Sequence, residues 1–148
     1  MKLQSNTSGI IGNVSITRIN SAGDVVEKIY RPNLVVAVGK AFIASRIVGV
    51  TQNAMSNMAL GSNSTAAVNG DSTLGTELGR VTLSSASSLD NVVTYTATFG
   101  AGVATGGVQE AGLFNASAGG VMEARTTFPV VNKSPTDILA VSWTISIL

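Results

Sequence analysis

Apolar and polar residues alternate with a period of two along most of the chain, and each alternating run predicts a strand with one buried face. Residues 10–19 place Ile10, Val14 and Ile16 on one side and Asn13, Ser15 and Thr17 on the other. A turn at "NSAGD" returns the chain through 25–31, giving a hairpin over 10–31 that Pro32 and Asn33 end. Further strands are expected at 58–61, 80–88, 91–99, 108–114, 120–128 and 138–147. In 91–99, Val93, Tyr95, Ala97 and Phe99 share one face; in 138–147, Leu139, Val141, Trp143, Ile145 and Ile147 do. Trp143, Tyr95 and Phe99 are therefore the predicted aromatic core.

The period changes in two places. Good helix formers at 38–48, closed by Gly49, predict one α-helix. It is apolar almost all round: Ile43, Ala44, Ile47 and Val48 form one side, with Phe42 nearly opposite. Such a helix wants cover on both sides. That cover is either its own domain or a neighbouring subunit, with Phe42, Ile43 and Ile47 as candidate interface residues. A short helical turn is expected at 74–79, behind a cap from Asp71 or Ser72 and with Glu77 and Arg80 spaced to pair. Short strands at this spacing argue for a mainly β fold, an antiparallel, jelly-roll-like β-sandwich. One domain over 1–148 is expected, with the 10–31 hairpin as an assembly arm.

"NGDSTLGTELGR" (69–80) resembles a phosphate-binding loop, but Thr76 and Glu77 stand where lysine and a hydroxyl should follow the second glycine. A carboxylate there repels phosphate. "FGAGVATGG" (99–107) is one residue too long for a dinucleotide fingerprint and lies between strands. Both are read as turns, and no cofactor is expected.

Composition narrows the chemistry further. The chain has no cysteine and no histidine, which removes disulfides, thiolate nucleophiles, imidazole bases and the usual zinc sites. Asp71 and Asp90 lack the clustered oxygens of a calcium site. A net charge of +1 gives no footprint for nucleic acid. No apolar run has the length of a membrane span, and "MKLQSNTSG" is too polar for a signal peptide. Only 11% of residues are charged, against about 25% in ordinary soluble domains. Surfaces that meet other subunits are depleted in charge, so the chain reads as part of a larger assembly.

Few ionisable groups fall inside patterned segments: Glu110, Glu123 and Arg125. Two carboxylates could flank a glycosidic bond, but Arg125 beside them favours a structural ion pair. If the hairpin through "NASAGG" folds 108–114 onto 120–128, residue 110 lies opposite about residue 124, and one step of slippage brings Arg125 beside Glu110. The pair is assigned a structural role, and no catalytic or metal-binding residue is assigned.

The blocks "NLVVAVGKAFIASRIVG", "MALGSNSTAA", "LGTELGRVTL", "VVTYTATFGAGVATGGVQEAGLFNASAGGVMEARTTFPVVNK" and "LAVSWTISI" together resemble a family of small structural proteins of tailed bacteriophages. The resemblance covers about residues 33–148 and implies a β-rich virion component without catalytic residues. Capsid decoration, as a cement protein binding the major capsid protein and copies of itself, is the first expectation. A tail or fibre component is the alternative, and a glycan-binding module the third. The implied location is the virion, after synthesis in the host cytoplasm, with neither nucleic acid nor membrane as partner.

Overall fold

Ile10–Ile19 forms β1, paired antiparallel with β2 (Val25–Val35) on one side and with the last strand, β9 (Ile138–Ile147), on the other. The computed structural model in which this is seen describes residues 9–148. Between β2 and β9 the chain forms α1 (Ala37–Ile47), β3 (Asn57–Gly61), β4 (Glu77–Thr82), β5 (Ser85–Leu89), β6 (Val92–Phe99), β7 (Gly106–Phe114) and β8 (Met122–Lys133). All pairings are antiparallel, in the order β4-β3-β7-β8-β2-β1-β9-β6-β5.

The protein is mainly β, and its ladders form one continuous nine-stranded sheet, curled like a half-barrel. The two edge strands, β4 and β5, are separated in sequence by only Leu83 and Ser84. Leu83 N–H donates to Ser56 O, and Ser84 N–H to Thr96 O at 2.7 Å. So short a link between opposite edges forces the sheet to curl. The two wings are joined through β2 and β8 by a narrow ladder, Leu34 to Arg125 and Val35 to Ala124.

The concave side holds the main core. Val14, Ile16, Tyr95, Ala97, Phe99, Val141, Trp143 and Ile145 meet Met58, Leu60, Val108, Leu113 and Phe128 there. Trp143 is fully buried and lies directly across the ladder from both Val14 and Tyr95, while Phe99 lies across from Leu139. A smaller cluster of Val36, Ala59, Leu74, Phe114 and Met122 covers the outer side of the β3-β7-β8 wing. A bulge separates the two sets: Leu113 faces Ala124 but Phe114 faces Met122, so Glu123 is the extra residue.

Several expectations need correcting. Residues 74–79 are not a helical turn; Glu77 begins β4. Residues 80–88 are not one strand but two on opposite edges, because the chain crosses at Leu83–Ser84. Glu77 and Arg80 do pair, at 2.8 Å, although on a strand; the register shift between Leu60 and Gly61 brings them to one side. The hairpin expected over 10–31 is present as β1 and β2, with β1 bonded on both flanks inside the sheet. Phe42 is buried within the chain's own core and Ile43 packs partly against it, which leaves Ile47, 81% exposed, as the free member of the three helix residues.

Candidate functional site

Glu110 and Arg125 meet on the outer face of the β7–β8 wing, under the long loop of residues 62–76. The strand register sets Glu110 against Thr127 and Arg125 against Gly112, so the pair is diagonal rather than directly opposite. Arg125 Nε and Nη2 donate to Glu110 Oε2 at 3.1 and 2.9 Å. The loop supplies the remaining donors: Gly75 N–H to Oε2 at 2.9 Å, and Thr76 and Asn63 N–H to Oε1 at 2.7 and 3.1 Å. Glu110 is thus fully buried yet has both oxygens satisfied, as a buried carboxylate must.

Arg125 carries the clamp outward. Its Nη1 donates to Asp71 Oδ2 at 2.9 Å and its Nη2 to Thr65 O at 3.0 Å. The rigid fork of a guanidinium suits this bridging of two acids and a carbonyl. Asp71 in turn accepts from Val68 N–H, and Asn69 O accepts from Ala37 N–H at the start of α1. The floor has to be glycine: a Cβ on Gly61 would strike Glu110 Oε1 and Thr76 O, and one on Gly75 would strike the Asn63 side chain. The segment that resembles a phosphate-binding loop does point amides at an anion, and the anion is the chain's own Glu110.

A neighbouring clamp holds the β7–β8 connection. Arg80 is bidentate to Glu77, donates to Ala116 O and Gly119 O at 3.0 and 2.9 Å, and stacks 3.7 Å over the Phe114 ring. A third cluster lies on the other wing, where Asp137 joins Arg18 and Ser134 N–H, and the buried Lys133 Nζ donates to Gly100 O. The Ser134 amide and then Arg18 hold the Asp137 carboxyl below its ordinary value. Burial pulls the Lys133 ammonium down, against the opposing charge of Asp137.

Glu123 is the unusual group. It is buried at the β8 bulge with Oε2 unpartnered, and its backbone carbonyl accepts from Val36 N–H at the start of α1. Burial pushes its carboxyl up, partly offset by the Tyr95 hydroxyl; burial and then Glu123 push that hydroxyl up in turn. Beside Tyr95 runs an open groove of about 520 Å³ between α1 and β5–β6, lined by Phe42, Arg46, Met55, Ala86, Val93 and Tyr95. A more polar groove of about 350 Å³ overlies the Glu110 clamp at Asn63, Thr65, Asp71 and Arg125.

The two carboxylates that sequence reasoning weighed as an acid–base pair are thus separated by role. Glu110 is engaged by five N–H donors beneath a loop, and Glu123 lies against Tyr95 and the seat of α1. Among the described residues no group of three or more Asp or Glu is placed to hold a metal ion, and no helix is long and apolar enough to cross a membrane. Asp71 serves Arg125, and Asp90 occupies a turn with φ of 51°. Asp71, the loop amides and the Glu123–Tyr95 contact were missed from sequence, since each depends on the fold bringing distant segments together. No family model, curated protein or solved structure matches the chain.

Proposed function

We propose that the protein is a structural subunit of a tailed-bacteriophage virion, and specifically a capsid decoration protein that stabilises the head by binding between capsid subunits. The observation that carries the reading is its surface. Ile47, Val48 and Leu89 are each about four-fifths exposed on a chain with only 11% charged residues. Exposed apolar side chains on a weakly charged surface suit contact with other subunits. The sequence resemblance supplies the virion context. Buried charges committed to holding loops suit a part that must be rigid when it docks. In the same reading the two wings of the curled sheet act as the layers of a sandwich-like subunit. The partners are the major capsid protein and further copies of this chain.

The test is to add purified protein to particles that lack it and locate it by electron cryo-microscopy. Density between capsomers, with raised particle stability to heat, is the expected result. Density on the tail would replace decoration with the tail reading, and absence of any binding would overturn both.

A further inference from the structure

We propose that the outer edge of β2 is a self-association surface, on which two copies pair β2 antiparallel about a two-fold axis at Ile29. Among the described residues, Val25–Arg31 has a ladder partner on one side only, β1; β8 joins β2 at Leu34 and Val35 and not before. The direction of the free groups is fixed by Pro32, whose carbonyl points away from β1 and accepts from Thr126 Oγ1 on β8 at 2.8 Å. Strand alternation then turns the N–H and C=O of Tyr30 and Lys28 outward as well. The missing N–H of Pro32 falls on this same edge, where a strand tolerates proline.

Charge selects the occupant and the register. About Ile29, Lys28 lies opposite Tyr30 of the second copy, and Glu27 opposite Arg31. Lys28 and Tyr30 already make a cation–π contact within the subunit, with Nζ 5.4 Å from the ring centre. Glu27 uses Oε2 on Arg18, and Arg31 makes no salt bridge among the described residues. A two-fold axis one residue earlier would oppose Lys28 to Lys28, and two residues earlier Glu27 to Glu27; both are repulsive. Lysine and proline are residues that protect edge strands from random pairing. Here they disfavour the two neighbouring registers and leave the Ile29 register self-complementary, with about four main-chain hydrogen bonds ended by Pro32 at both sides. Exposed Val25, Val26 and Tyr30 supply the apolar rim.

The inference deepens the reading of the chain as an assembling subunit and rests on that reading for the expectation that copies meet. Analytical ultracentrifugation of the full chain should show a monomer–dimer equilibrium. Ile29→Cys should cross-link to itself under mild oxidation, since non-hydrogen-bonded opposed residues have Cα atoms about 4.5 Å apart, within disulfide reach. Val26→Cys should not, because its two copies would stand about 20 Å apart. The chain has no other cysteine to confuse the result. Arg31→Glu should weaken the dimer at least about tenfold, and the exchange Glu27→Arg with Arg31→Glu should restore it. Circular dichroism checks that each variant is folded. A wild-type monomer at every concentration, or a dimer indifferent to Arg31→Glu and not trapped by Ile29→Cys, would overturn the inference. Monomers that still bind particles would overturn it while leaving the decoration role standing; dimers that ignore particles would do the reverse.

Discussion

Arg125 reaches diagonally across the β7–β8 ladder to Glu110, Nη2 to Oε2 at 2.9 Å, and the loop that covers the pair contributes three main-chain N–H groups to the same carboxylate. The ion pair is therefore the anchor of the 62–76 loop as well as a link between strands.

Replacing Glu110 by Gln should cost up to about 3–5 kcal/mol in urea unfolding, because the buried guanidinium loses the more buried of its two counter-charges and keeps only the part-exposed Asp71. The double change Glu110→Gln with Arg125→Met should recover only part of this, since Asp71 and Thr65 O lose their donor while the loop amides keep a weaker acceptor. Full recovery would mean that the loop contributes nothing to the pair.

Trp143→Ala should cost about 3–5 kcal/mol, as expected for a large aromatic side chain with no solvent exposure. Trp143→Phe should cost much less, because the buried indole Nε1 has no hydrogen-bond partner to lose. The native fluorescence should be blue-shifted and resist iodide. A red-shifted, freely quenched emission would contradict the packing against Val14 and Tyr95.

Glu123 should make stability depend on pH. Its native pKa is raised by burial, so the folded state disfavours the ionised form. Stability is then greatest below the unfolded value of about 4.3, declines as pH rises toward the raised native value, and is flat above it. Asp137 acts with the opposite sign: its depressed pKa gives stability that is present above the unfolded value and lost as pH falls through the native one. In Glu123→Gln the decline above pH 4.3 should disappear, and the melting temperature at pH 7 should be no lower than that of the wild type. A large drop would show that ionised Glu123 has a stabilising partner.

Gly39→Ala should loosen the helix. Gly39 is where α1 rests on β8, and a Cβ there would strike the Glu123 carbonyl. Faster amide exchange confined to α1 and its seat is expected, with the core strands still protected. Unchanged protection in α1 would mean the helix can shift without loss.

Much of the fold was legible in the chain because period-two alternation needs only local geometry. The inward faces of 91–99 and 138–147, with Tyr95, Phe99 and Trp143 buried, follow from side chains alternating across a pleat; Ile147, at the end of β9, is the exception and is 48% exposed. The helix was legible within a residue or so, from its change of period and Gly49. The nearness of Glu110 to Arg125 could be inferred from one hairpin loop.

Tertiary structure decided the rest, because it joins residues far apart in sequence. Nothing local in "RVTLSSASS" says that the chain leaves one sheet edge at Thr82 and enters the other at Ser85; the curl of nine strands brings those edges together. The glycines of 69–80 read as turn and helix signals until Glu110 is placed beneath them. Phe42 and Ile47 are equally apolar in sequence, and only the seating of α1, through Gly39, on the Glu123 backbone buries one and leaves the other in solvent. The sequence by itself set which residues are extended and which face of each strand is apolar, since these follow from backbone sterics and side-chain period. Strand order, register and bulges set which charges meet, because a hydrogen-bonded ladder aligns residues by position in space rather than by separation along the chain.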